Sequence, residues 1–262
     1  MSLRVGVLGA GGRMGQEVCR AVSAEADFDL VAGIDPLHAC APIAELAGID
    51  TDVVIAEGND ALAAAGVDVA VDFTHLDAAR ANIEFCADNG IHAVVGTSGF
   101  TETDHERIAA RFTSSNCLIA PNFAIGAVLM IRFAELAAPF FETAEIIELH
   151  HDGKVDAPSG TAISTAERMA AAGGDWAPDP TQTETIAGAR GAKGAGGIPV
   201  HSVRMRGMTA HQEVILGTTG QSLSLRHDSY DRTSFMPGVV LAVRRIAETP
   251  GLTVGLDGVL GL

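Results

Sequence analysis

The chain has 262 residues, 47% of them apolar, which is enough to build one large or two modest α/β domains around buried cores without disulfides. Its formal net charge of −16 repels phosphate backbones, and no basic patch offsets that field, so nucleic acid is not expected as a partner. The four cysteines, Cys19, Cys40, Cys86 and Cys117, form no CxxC pair and join no histidine cluster at zinc spacing, so no metal is expected and a reduced, cytoplasmic protein is the simplest reading.

Arg4 precedes an apolar run of only five residues, Val5 to Gly9, far short of a signal-peptide core or a membrane span, and no membrane association is expected. From there to about Asn122, short valine- and isoleucine-rich runs alternate with alanine-rich helical stretches. Strands are predicted at Arg4 to Leu8, Leu30 to Ile34, Asp52 to Ala56, Val67 to Phe73, His92 to Val95 and Cys117 to Ala120. Helices are predicted near Met14 to Ala24, Asp77 to Asn89 and Glu102 to Phe112. The alternation describes an α/β domain with a Rossmann-like, doubly wound parallel sheet.

The first strand runs directly into GAGGRMG, Gly9 to Gly15, which opens the first helix. Glycines at 9, 12 and 15 give GxxGxxG, and the stricter GxGxxG fails because Met14 holds its last position. The physical need is still met: glycine permits a tight turn and close backbone approach to a pyrophosphate, and the helix start offers unpaired N–H groups. Gly9, Ala10, Gly11, Gly12, Arg13 and Met14 are therefore candidate dinucleotide contacts. Asp35, 20 residues after Gly15 at the end of the second strand, is the expected carboxylate for the adenosine ribose. A carboxylate there repels a 2′-phosphate, and no lysine or arginine lies between Val31 and Ala41 to offset it. NADH is the expected cofactor, with NADPH tolerated through Arg13. Two further strand-end loops, VDFTH with Phe73 and Thr74 and VVGTSGF with Gly96, Thr97 and Ser98, belong to the same crevice and are candidates to border the cofactor.

After Pro121 the pattern changes. An amphipathic helix from about Ala124 to Phe141 leads into a strand, Glu145 to His151, and then into the loop DGKVDAPSG. Gly188 to Gly197 carries five glycines and reads as a mobile loop. Val200 to Arg206, Glu213 to Leu216 and Ser222 to His227 alternate like antiparallel strands, and a last helix spans about Phe235 to Glu248. This second part is expected to be an α+β domain with a mixed, largely antiparallel sheet.

The segment ELHHDGKVDAPSGTA, Glu148 to Ala162, concentrates two histidines and one of only two lysines, Lys154, the other being Lys193. It then sets Ser159, Gly160 and Thr161 at the start of a helix, a ready carboxylate or phosphate site to which Lys154 adds a full charge. A histidine titrating near neutrality suits proton donation as hydride arrives at a C=N or conjugated C=C bond. In a regular strand His150 and His151 point to opposite faces, and the sequence leaves open which one faces the substrate.

Taken together, GAGGRMG, VGTSGF, APNFAIG, HHDGKVDAPSGTA and RTSFMPGV make the chain resemble the 4-hydroxy-tetrahydrodipicolinate reductase (dihydrodipicolinate reductase) family over essentially its whole length. The resemblance implies NAD(P)H-dependent reduction of a cyclic dicarboxylate in lysine and diaminopimelate biosynthesis, with loss of the ring hydroxyl as water. It implies that His150 donates the proton, that Lys154 is the second catalytic residue, and that His151, Ser159, Gly160 and Thr161 hold the substrate carboxylates. Ala120, Pro121, Asn122 and Phe123 then join Gly96 to Ser98 at the nicotinamide. It further implies a homotetramer built through the second domain's sheet, and a last helix that returns to the first domain. The expected domains are residues 1–122 with 234–262 for the dinucleotide and 123–233 for substrate and oligomerisation. A related two-domain dehydrogenase acting on a sugar or on aspartate semialdehyde explains the first domain equally well. It leaves the His-His-Lys and SGT cluster unassigned, and the semialdehyde chemistry wants a cysteine in the second domain, where none occurs.

Overall fold

The computed structural model describes residues 2–173 and 176–262. The chain forms two compact units, Met1–Phe123 with Arg232–Leu262, and Ala124–Asp231.

In the first unit β1 (Leu3–Leu8) leads through the glycine loop into α1 (Arg13–Ala24), and β2 (Phe28–Ile34) follows. Two short helices, α2 (Ile43–Ala47) and α3 (Asp60–Ala64), precede β3 (Val69–Asp72), α4 (Leu76–Asp88), β4 (His92–Val95), α5 (Glu102–Arg111) and β5 (Cys117–Ile119). The chain then builds the second unit from α6 (Ile125–Ala137), β6 (Thr143–His150), α7 (Gly160–Ala172), the two-residue β7 (Ala192–Lys193), β8 (Pro199–Arg204), β9 (Ala210–Thr218) and β10 (Gln221–Ser229). It finishes in the first unit with α8 (Met236–Arg245), β11 (Leu252–Val254) and α9 (Asp257–Leu260).

The first sheet is parallel throughout, in the order β11-β5-β4-β3-β1-β2. Every residue of β3 is buried, as are Val5 to Leu8 of β1, the pattern of strands covered on both faces. Leu8 lies level with both Ile34 and Asp72, so the loops that follow three strands open at one height, on either side of the point where the order reverses. Helix α5 starts on a full capping box, Thr101 with Asp104, and Asp104 also accepts from Arg80 of α4 at 2.8 and 3.0 Å. Helix α8 sits so close to Phe123 that a Cβ on Gly238 would lie 2.0 Å from the Phe123 carbonyl oxygen. Arg244 of α8 also holds Glu25 and Asp27 at 2.6 and 2.7 Å, in solvent-screened pairs that add little to stability.

Two expectations for this sheet need correction. Asp52 to Ala56 is not a strand: it makes only single bridges, Ala56 to Ile34 and Val54 to Pro42, and Val54 is 53% exposed. The apolar run instead crosses the outer edge of β2, where Ala56 donates to the Gly33 carbonyl at 2.8 Å and accepts from the Asp35 N–H at 3.0 Å. The sixth strand is β11, only three residues long, paired to β5 through Leu252, Thr253 and Val254.

The second sheet, in the order β10-β9-β6-β8-β7, is mixed: β6 and β8 are parallel and the other pairs antiparallel. Ile146, Val200, Val214 and Leu216 on one face pack with Met130, Ile131, Ala162, Ala166 and Met169 of α6 and α7. By alternation Ile147, Leu149, Val203 and Ile215 lie on the opposite face. The glycine-rich segment 188–197 carries β7 and a 3-10 turn, Ala195–Gly197, whose Gly196 takes φ of +66°.

Candidate active site

In the first unit the glycine loop is pinned to the end of β2, the N–H groups of Gly9 and Ala10 donating to the Ile34 carbonyl at 2.7 and 3.1 Å. Gly9 has φ of +77°, and a Cβ on Gly15 would fall 2.0 Å from the Gly9 carbonyl oxygen, so the loop and the first turn of α1 meet backbone to backbone. Gly12 precedes α1 without a side-chain cap, and Arg13 stands exposed at its first position. Asp35 is buried at 8% exposure and accepts from the Leu37 N–H at 3.0 Å and the Gly11 N–H at 3.1 Å, with His38 Nδ1 also 3.1 Å away. Its carboxylate thus caps the turn that follows β2, and lone pairs remain for a further donor.

Around the same strand ends, Thr74 donates to Asp72 through both its N–H (2.7 Å) and its hydroxyl (2.6 Å). Thr97 donates to the Thr74 carbonyl at 2.8 Å. A Cβ on Gly96 would lie 2.1 Å from the Phe73 ring, and Phe73 packs on Phe123 with centroids 5.7 Å apart. Ala120 donates to the Val95 carbonyl at 3.0 Å and is buried, whereas Ser98 and Pro121 are exposed and Asn122 is half-buried. Gly9, Gly12, Asp35, Phe73 and Thr74 share one cleft of about 500 Å³. Sequence reasoning passed over Asp72 and Asn82 here. Burial pushes the Asp72 carboxyl up, against hydrogen bonds from Thr74 and Asn82 that only partly offset it. Asn82 in turn accepts from Asn59 at 2.8 Å, so a buried polar chain holds the Thr74 loop.

In the second unit the end of β6 gathers the predicted cluster. His150 shares a strand face with Glu148, two residues before it, and its Nδ1 lies 2.5 Å from Glu148 Oε2. His151 falls just beyond the strand and is exposed. The Lys154 ammonium makes two 2.8 Å bonds to the carboxylate of exposed Asp156. Ser159 caps α7 by accepting from the Ala162 N–H at 3.2 Å, and its own N–H donates to Glu148 Oε1 at 3.2 Å. A Cβ on Gly160 would meet no atom within 4 Å, so the space before the helix start is open, and Thr161 follows half-buried in its first turn.

Two residues at the centre of this cluster, Glu148 and Arg204, were missed from the sequence. Glu148 is 0% exposed, and Arg204 grips it with both terminal nitrogens at 2.8 Å while also donating to the Asp156 carbonyl at 2.6 Å. Burial alone raises the Glu148 carboxyl, but hydrogen bonds from Arg204, Ser202 and His150 outweigh it and hold the group below its ordinary value. Burial lowers the His150 pKa; Glu148 pulls it back up, Lys154 and Arg204 push it down, and the result stays below the usual histidine value. Glu148 stood in the sequence two residues before the first histidine, which is the signal for a shared strand face. Arg204 gave none, because only the parallel pairing of β6 with β8 sets it opposite His150.

Residues 3–123 match the family described as dihydrodipicolinate reductase, N-terminus, and residues 126–260 match dihydrodipicolinate reductase, C-terminus. A 4-hydroxy-tetrahydrodipicolinate reductase of Mycobacterium marinum is 52% identical over 99% of this chain and 100% of its own length. Its counterpart from Corynebacterium urealyticum is 50% identical over 99% of both. Among solved structures, a dipicolinate-bound dihydrodipicolinate reductase from Paenisporosarcina sp. TG-14 is similar, with a TM-score of 0.87 and 39% identity over 98% of this chain and 99% of that one.

Proposed function

Because the chain belongs to the dihydrodipicolinate reductase family, oxidoreductases with Rossmann-type NAD(P) binding that carry out a reduction step of lysine biosynthesis, we propose that His150 protonates the substrate ring while Lys154 and the start of α7 hold its carboxylates. The observation that carries this reading is the convergence of His150, Lys154 and Ser159 around one buried Glu148–Arg204 pair. The substrate class follows from charge. A ring with two carboxylates needs two cationic or N–H-rich seats, and the Lys154 ammonium together with the Ser159 hydroxyl and the Gly160 and Thr161 N–H groups at the start of α7 would supply them. An incoming carboxylate displaces Asp156, which is 60% exposed and returns to water at little cost. His151, exposed beside them, adds a further donor. The solved relative was bound to dipicolinate, a planar ring of this kind, which supports the same occupant here.

The residues of the first unit fit a dinucleotide. Gly9 to Met14 would hold a pyrophosphate against the start of α1, where Gly9 and Gly12 border the cleft, Asp35 keeps acceptor capacity for ribose hydroxyls, and Gly96 to Ser98 with Ala120 to Phe123, beside Phe73 and Thr74, would meet the nicotinamide. When bound, the nicotinamide supplies the hydride. NADH is favoured because the Asp35 carboxylate opposes a 2′-phosphate by ~1 kcal/mol or more, while exposed Arg13 lets NADPH be tolerated. Residues 1–122 with 234–262 serve as the dinucleotide domain, and 123–233 serve substrate binding and oligomerisation. A homotetramer through the second sheet is supported by its face bearing Ile147, Leu149, Val203 and Ile215, half-buried and opposite the helices. Four free cysteines support a cytoplasmic setting, and no helix of the described residues is long and apolar enough to cross a membrane.

The test is steady-state turnover of substrate freshly made from pyruvate and aspartate semialdehyde, followed by loss of NADH absorbance. His150→Ala or Lys154→Ala should lower kcat by about 10²-fold or more, with the NADH Kd nearly unchanged. Wild-type turnover in both variants would refute the assignment.

A further inference from the structure

Near the end of β6 the second unit buries a carboxylate completely. Glu148 lies beneath His150, is 0% exposed, and meets the two terminal nitrogens of Arg204, the Ser159 N–H and His150 Nδ1. An ionised carboxylate only accepts hydrogen bonds, and arginine and a backbone N–H only donate. Each of those contacts is therefore satisfied with Glu148 charged, and the nitrogen of His150 that faces it must carry hydrogen. We propose that Glu148, held in place by Arg204, is a positioning residue that fixes the His150 ring with hydrogen on Nδ1 and so makes Nε2 the atom that hands a proton to the substrate. The inference rests on His150 being the proton donor.

The consequence for the reaction is specific. Neutral His150 already keeps its one hydrogen on Nδ1, so it has none to give from Nε2. The working acid is the imidazolium. As hydride adds at one end of the conjugated bond of the ring, the electron pair moves to the far end and takes the Nε2 proton. His150 is left neutral with the Nδ1–H···Glu148 bond intact, and solvent restores the Nε2 proton before the next turnover. Glu148 offsets the imidazolium charge throughout without accepting the proton itself, because Arg204 keeps it ionised.

The charged groups around the ring set the balance. On its own strand stands Glu148; on β8, Arg204; in the loop after β6, Lys154 and Asp156, with exposed His151 beyond. Strand β9 places uncharged Ala210 opposite His150, and the start of α7 contributes the Ser159 N–H. Glu148 is thus the one anion bonded to the ring among the described residues, facing the cations Arg204 and Lys154. The same carboxylate ties the ring to the first turn of α7, so the acid and the carboxylate seat are aligned by one group.

Three measurements decide the matter. In the wild-type protein labelled with [15N]histidine and assigned with His150→Asn, the neutral ring should show hydrogen on Nδ1; hydrogen on Nε2 would overturn the proposal, and this readout needs no altered network. In Glu148→Gln, kcat at neutral pH should fall by about 10²-fold. The alkaline limb of its pH profile should move to lower pH, while the NADH Kd stays at its wild-type value. A folded Glu148→Gln enzyme with the wild-type limb would also overturn it. His150→Asn separates the two levels: wild-type turnover there defeats the proton-donor reading itself, whereas loss of turnover beside an unshifted Glu148→Gln profile defeats only the role given to Glu148.

Discussion

Adding one methyl group at Gly15 should disable the dinucleotide loop. An alanine Cβ there would lie 2.0 Å from the Gly9 carbonyl oxygen, 2.7 Å from the carbonyl carbon and 2.8 Å from Ala10 Cα. All three are backbone atoms. Relief to 3.0 Å needs about 1 Å of separation between loop and helix. The loop cannot yield freely, because Gly9 and Ala10 both donate to Ile34 and Gly12 donates back to Gly9 at 3.0 Å. Overpacking of this kind costs about 1–3 kcal/mol, and at roughly 2–4 °C per kcal/mol for a domain of this size the Tm should fall by about 2–12 °C. A displacement of about 1 Å at a positioning element also weakens function by about 10²-fold. Gly58→Ala is the matched control, since nothing lies within 4 Å of its added Cβ. The assay is a fluorescence titration of NADH beside a thermal melt. A Gly15→Ala protein that binds NADH within twofold of wild type and melts at the wild-type temperature would show that the close approach is not what holds the loop.

Asp35→Ala should cut the kcat/KM preference for NADH over NADPH about fivefold, the equivalent of ~1 kcal/mol of lost repulsion, and a comparison of the two cofactors checks it; an unchanged ratio would remove Asp35 from the choice. The pH dependence has a definite sign. Because His150 titrates below the ordinary histidine value in the free protein, kcat/KM should already be falling as pH rises through about 6.5. Two bound carboxylates favour the charged ring, so the limb in kcat should lie at higher pH than the limb in kcat/KM. Dipicolinate should compete with the substrate and not with NADH, and Lys154→Ala should weaken its inhibition by tenfold or more, as loss of a charged seat demands. Burial pushes the Cys19 and Cys86 thiols up to about 12, and Cys117 further still, while Cys40 is exposed. A thiol reagent should therefore titrate one group in the native protein and four in denaturant.

The amino-acid sequence by itself determined the features that depend on neighbours in the chain. Alternating valine-rich and alanine-rich runs specified a parallel sheet between helices, GAGGRMG specified a backbone turn that only glycines can make, and HHDGKVDAPSGTA concentrated charge and hydroxyls at one helix start. Wherever a residue's role depends on a distant strand, tertiary structure decided it. Asp52 to Ala56 has the apolar content of a strand and still lies across a sheet edge, while three residues at Leu252–Val254 complete the sheet because β5 offers them a free edge. Arg204 is 56 residues from Glu148, and no local pattern marks it. It reaches the site because β6 and β8 run side by side in parallel, and a buried carboxylate without that guanidinium would be too costly to keep charged.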